Sequence, residues 1–207
     1  MILYILKRFY CILAVFIALT IVSCSETDDT TNEFANWQER NDKYFESIYS
    51  KAEESIKNKD TKWKIINKWS KNDSVCTRHQ DRIVVEVINE GKGSGCPLYT
   101  DSVRIHYEGR LIPSESYPEG YVFDCSWTGK YNPQTMVPYK SMTSSFIDGF
   151  TTALQNMHVG DRWRIYIPQE LAYGNTASGS IPAYSTLVFD VTLHSYSRPG
   201  IPMPTFR

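Results

Sequence analysis

Phe146-Ile147-Asp148-Gly149-Phe150, Met157-His158-Val159-Gly160, Ile167-Pro168, Leu171-Ala172-Tyr173-Gly174 and Ile181-Pro182 follow one another and lead into Leu187-Val188-Phe189-Asp190-Val191. Large apolar rings recur in this stretch beside Gly and Pro, which shape the backbone. His, Cys and paired carboxylates do not cluster there. The chemistry to expect is therefore an apolar cavity of preset form rather than a metal or nucleophile site. Phe146, Phe150, Ala153, Leu154 and Met157 share one helical face, which predicts a helix of about three turns over residues 146–157, ended by Val159-Gly160.

Outward from that helix the pattern is β-like. Arg162-Trp163-Arg164-Ile165-Tyr166-Ile167 and residues 186–194 read as long strands. Upstream, residues 82–88 are rich in β-branched side chains. Residues 101–111 alternate, with Val103, Ile105, Tyr107 and Leu111 on one face, so Tyr107 points to the apolar side. Residues 121–126 form a short strand, and Thr135-Met136-Val137 is a further candidate. One short helix wrapped by a curved antiparallel sheet makes an α+β domain. The run Gly91-Lys92-Gly93-Ser94-Gly95 lacks GxGxxG spacing and leads toward a strand, so it carries no phosphate role.

Ahead of this domain Phe34, Trp37, Tyr44, Phe45, Ile48, Tyr49, Ala52 and Ile56 recur in steps of three and four, with a gap at Asn41. That predicts an amphipathic helix, followed by a turn or short helix around Trp63, Ile65, Ile66 and Trp69. The stripe either packs on its own domain or serves as a homodimer arm or client surface within residues 34–69. Residues 1–23 carry Lys7 and Arg8 before an uncharged apolar run whose core is short for a membrane span, which needs about 20 residues. The run ends at Ser23-Cys24 and gives way to a polar tether over residues 24–33. The expected organisation is a signal over 1–23, that tether, a helical segment over 34–72, the main domain over 73–197 and a tail over 198–207.

The formal net charge of the 207 residues is -1 and the sequence pI is about 6.4, which excludes a basic field for nucleic acid. Aromatic residues make up 14%, which suits a recognition groove. His79, His106, His158 and His194 lie in separate elements without ligand spacing, so no metal or cofactor is expected. Cys76 and Cys96 flank the first main-domain strand and are the candidate disulfide pair in an exported protein, with no disulfide as the alternative. Cys125 has no neighbouring base in sequence to make it a nucleophile.

The ordered series Ile105-His106-Tyr107-Glu108-Gly109, Phe123-Asp124-Cys125-Ser126 and the motifs quoted above resembles the FKBP-type peptidyl-prolyl cis-trans isomerases over residues 81–196. The resemblance implies a proline pocket lined by Tyr107, Phe123, Asp124, Phe146, Ile147, Phe150, Tyr173, Ile181 and Phe189. It gives catalytic positions to Tyr107, Phe123, Asp124, Ile147, Tyr173 and Phe189, and substrate-binding ones to Phe146, Phe150 and Ile181. Phe150 stands where the family usually has a tryptophan floor, which implies a deeper pocket. Pro182-Ala183 replaces the usual Pro-Pro and implies an altered rim. The N-terminus resembles a bacterial lipoprotein signal, with Cys24 lipidated and the protein tethered to a membrane of the cell envelope. The implied substrates are proline-containing polypeptides, with catalysis of X-Pro isomerisation during folding of exported proteins. A non-catalytic proline-peptide-binding or chaperone module is the alternative.

Overall fold

The computed structural model describes residues 33–205. The signal-like run, the tether up to residue 32 and Cys24 lie outside the described residues. Helix α1 spans Trp37–Lys57. Strands β1 Trp63–Asn67, β2 Arg82–Asn89, β3 Ser102–Arg110, β4 Val122–Cys125 and β5 Tyr139–Met142 follow. Helix α2 Asp148–Leu154, β6 Arg162–Ile167 and β7 Leu187–Ser197 complete the order. The strands form one antiparallel sheet in the order β1-β2-β6-β7-β3-β4, with β5 also paired to β3.

Both faces of the sheet are covered, and the strand sequences show why. Ile83, Val85, Ile165, Ile167, Leu187, Phe189 and Val191 point to the α2 side and join Phe150, Ala153, Leu154 and Met157 in the main core. The residues between them, Val84, Tyr166 and Val188, point the other way and pack with Phe45, Tyr49, Ala52 and Trp63 under α1. A strand covered on both faces reads as a nearly continuous apolar run, as in Ile83-Val84-Val85. The stripe of α1 thus lies on its own domain. Its gap at Asn41 is filled by a fully buried side chain whose Oδ1 accepts from the Thr186 N–H at 2.7 Å.

Three local expectations are corrected. Trp63–Asn67 is not helical but an edge strand that pairs with β2, from Trp63 opposite Glu86 to Asn67 opposite Arg82. Trp69, expected beside it on a helix, instead stacks on Tyr99 with ring centroids 4.5 Å apart. Steps of three and four over so few residues fit either element, and pairing with an adjacent long strand decides for β. The strand expected at residues 135–137 is displaced to β5, where Tyr139 pairs with Ile105. Helix α2 is shorter than expected, because Phe146 and Ile147 are extended residues before its first turn and residues 155–157 leave it in a turn.

The cysteines resolve for the no-disulfide alternative. Cys76, Cys96 and Cys125 are free. The Cys76 thiol is buried against the Asp81 carbonyl, whereas Cys96 lies 3.8 Å from His158 Nε2. Flanking one strand does not bring two side chains together when they leave its opposite ends.

Candidate active site

All nine residues expected to form the pocket line a single cavity of about 530 Å3, within the range of about 300–1,000 Å3 typical of ligand sites. Strand β3 contributes Tyr107, β4 contributes Phe123 and Asp124, and β7 contributes Phe189. The N-terminal approach to α2 contributes Phe146 and Ile147, and its first turn contributes Phe150. The loop after β6 brings in Tyr173 and Ile181.

Phe150 is the buried floor, 2% exposed. Phe146 stacks on it at 4.7 Å, while Phe189 and Tyr107 meet it edge-on at 5.0 and 6.0 Å. Phe123 meets Phe189 edge-on at 5.4 Å. These edge-to-face contacts match the ring quadrupoles and hold the walls apart at fixed angles. Strand β3 can approach so closely only because Gly109 has no side chain. A Cβ there would lie 2.6 Å from ring atoms of both Phe123 and Phe189.

Two polar groups enter this apolar bowl. The Tyr107 hydroxyl donates to Asp124 Oδ2 at 2.8 Å, and Asp124 Oδ1 accepts from the Cys125 N–H. Burial, and then the bond to Asp124 and its charge, push the Tyr107 phenol well above its ordinary value. Tyr107 therefore stays protonated and its donor stays committed to Asp124. Tyr173 stands at the mouth, 41% exposed. Ile147 precedes α2, so no intrahelical bond uses its N–H. Cys125 lies beside Asp124, with burial as the leading cause of its raised thiol pKa, which disfavours a thiolate nucleophile.

Sequence reasoning did not identify Ser145, Ser178, Gly179 and Ser180, which also line the cavity. They are small residues at its rim. The available signal was Gly179, whose φ of 57° lies in the left-handed region. Tyr139, given no role in the sequence, lies edge-on to Tyr107 at 5.9 Å. Among the described residues, no group of three or more His, Cys, Asp or Glu could hold a metal.

The model of the FKBP-type peptidyl-prolyl cis-trans isomerase domain matches residues 96–194, the segment that carries all nine pocket residues, Tyr173 and Ile181 on its loop between β6 and β7. Over residues 96–194 the chain matches the FKBP-type family. It is 42% identical over 119 residues to the macrophage infectivity potentiator of Trypanosoma cruzi, covering 57% of this chain and 55% of that protein. It is 44% identical over 108 residues to the FKBP-type 22 kDa peptidyl-prolyl cis-trans isomerase of Escherichia coli, covering 52% and 46%. The peptidyl-prolyl cis-trans isomerase Mip of Coxiella burnetii is 38% identical over 114 residues, covering 55% and 44%. The chain spans about half the length of these relatives. Helix α1 and β1 precede the segment that the FKBP model matches.

Proposed function

We propose that the protein is a peptidyl-prolyl cis-trans isomerase that acts on proline-containing segments of exported polypeptides. The observation that carries this reading is the convergence of nine residues from five separate segments on one aromatic cavity, with Tyr107 bonded to Asp124 inside it.

The reaction needs no proton transfer and no covalent intermediate. Twisting an X-Pro amide forfeits resonance against a barrier of about 18–20 kcal/mol, and uncatalysed exchange takes tens to hundreds of seconds. The twisted amide has less charge separation than the planar one. An apolar enclosure thus favours it over the ground state, and only such differential stabilisation raises the rate. Phe150, Phe123, Phe189 and Ile181 hold the proline ring, with Phe146 backing Phe150. The Ile147 N–H and the Tyr173 hydroxyl donate to substrate carbonyls. Asp124 orients Tyr107 and faces the twisted carbonyl.

A protease-coupled or NMR exchange assay on a proline tetrapeptide tests this. The wild type accelerates exchange, and Tyr173→Phe combined with Phe189→Ala removes most of the acceleration. An inactive wild type, or an undiminished double variant, leaves the non-catalytic peptide-binding module as the reading.

The reading extends to the chain's organisation: a signal over residues 1–23, a lipid on Cys24 that tethers the protein to a membrane of the bacterial envelope, and a polar link to the domain. No helix among the described residues is long and apolar enough to cross a membrane. Cys24→Ser releases the protein into the soluble fraction if the lipid is the anchor. A homodimer through residues 34–69 would use the outer face of α1, since the inner stripe covers the sheet, and sedimentation of the full chain tests it.

A further inference from the structure

Two buried polar side chains of α1 reach across the molecule to the loop that forms one wall of the pocket. The Trp37 indole N–H donates to Ser185 Oγ at 2.9 Å, and the Ser185 hydroxyl donates in turn to the Pro182 carbonyl at 2.7 Å. Pro182 follows Ile181, a pocket residue. One turn along α1, Asn41 Oδ1 accepts from the Thr186 N–H and its Nδ2 donates to the Trp37 carbonyl, both at 2.7 Å. Trp37, Asn41, Ser185 and Thr186 are all buried.

The loop has little regular structure of its own to fix it. Ser178 and Ile181 exchange a pair of 2.9 Å backbone bonds that close the rim turn. Tyr184 adopts a φ of 63°, costly for a residue with a side chain, and donates its N–H to the Gly174 carbonyl at 2.7 Å, next to Tyr173. A strained residue holds its conformation only when its surroundings over-determine it. The bonds to Ser185 and Thr186, on the two residues that follow Tyr184, supply that constraint from α1.

We propose that α1 is a working part of the isomerase site: Trp37, through Ser185 and Pro182, and Asn41, through Thr186, are positioning residues that set the Ile181 wall and the Tyr173 donor against the substrate. The proposal deepens the isomerase reading and rests on it for the identity of the substrate. The site therefore includes residues outside the family-matched segment 96–194.

The test uses the full chain at a temperature well below its melting point, with circular dichroism to confirm folding. Trp37→Phe keeps the ring and removes the N–H, and Ser185→Ala removes the relay. Each lowers kcat/KM for a proline peptide by about 3- to 10-fold, mostly through KM, the size expected for one buried hydrogen bond. The double variant loses no more than the larger single loss, since both break one relay. Phe45→Ala, which loosens α1 elsewhere, leaves kcat/KM of the folded protein in place. Wild-type kcat/KM in both single variants, or additive losses in the double, overturns the relay. Anisotropy of a labelled proline peptide repeats the comparison without turnover. An inactive wild type whose peptide affinity still falls in Trp37→Phe and Ser185→Ala would sink the isomerase reading and keep the rim clamp. If Trp37→Phe does not fold, Ser185→Ala alone decides.

Discussion

On the α2 side of the sheet, Tyr107, Phe123, Phe146, Phe150 and Phe189 surround an open cavity. On the α1 side, Phe45, Tyr49, Trp63 and Tyr166 form a closed layer. Ring content is similar and the outcome is opposite. The closed layer comes from a regular helix laid on regular strands, so side chains at helical spacing interlock with side chains at strand spacing. The cavity that Tyr44, Tyr166 and Val188 help to line on that side, about 180 Å3, is about a third the size of the pocket. The open one takes Phe146 and Ile147 from extended backbone before a seven-residue helix, and Tyr173 and Ile181 from a loop. Irregular backbone holds those rings apart. Openness therefore follows from how the rings are presented, not from how many there are.

Replacing one ring on the closed side tests this division most severely. Phe45 is 2% exposed at the centre of that layer, and Phe45→Ala should cost about 3–5 kcal/mol of stability by denaturant titration. Its kcat/KM, measured where the variant is folded, should stay within about twofold of wild type. A parallel fall in kcat/KM would mean that the closed layer itself, and not only the Trp37 and Asn41 bonds of α1, holds the pocket in shape.

The opposite signature is expected on the open side. Gly109→Ala places a methyl 2.6 Å from the rings of Phe123 and Phe189, so those rings must shift and the cavity narrows. Isomerase kcat/KM should fall by about tenfold or more, while stability drops by only about 1–3 kcal/mol, the usual cost of one extra methyl in a packed site. Wild-type activity with a displaced Phe123 in a structure of the variant would show that wall position matters little. A smaller change comes from Tyr107→Phe, which keeps the ring and removes the donor to Asp124. The expected loss is about 3- to 10-fold in kcat/KM. An equal loss in Asp124→Asn would place both residues in one unit.

Much of this was legible in the sequence because it was periodic or ordered. Val103, Ile105 and Tyr107 declared their face by alternation, and the order of the motifs brought nine residues to one cavity before any coordinates. The losses came where physical signals were weak. Trp63–Asn67 is an edge strand fixed by pairing with Arg82–Asn89, and pairing across 15 to 23 positions leaves no mark in a five-residue window. Tyr139–Met142 is mostly exposed, so burial imposes no alternation on it. Ser145, Ser178 and Ser180 line the rim, and small polar residues in loops carry no periodic signal. Asn41 looked like a break in an apolar stripe, because its role is a hydrogen bond to Thr186, 145 residues away.

The subtlest test concerns a third patch, on the opposite face of β3 from Tyr107. There His106 and His194 meet edge-on at 4.8 Å, and Trp127 and Tyr131 pack edge-on against His106. His106 also contacts Ser126 Oγ and the Met136 carbonyl, which ties the 126–136 loop to the sheet. Burial, and secondarily the neighbouring His106, lower His194 from 6.5 to about 4. The native site therefore resists a proton that the unfolded chain accepts near its ordinary value. Stability from this patch is present in full above about pH 6.5 and is lost progressively as the pH falls from there to about 4. Thermal melts across that window should show a drop in Tm that is shallower in His194→Phe than in the wild type. Equal slopes would assign the acid loss to other groups. Because the Ser126 hydroxyl accepts the Tyr107 N–H, a shift of the Tyr107 resonances over the same window would show that acid loosening of this patch reaches the pocket wall.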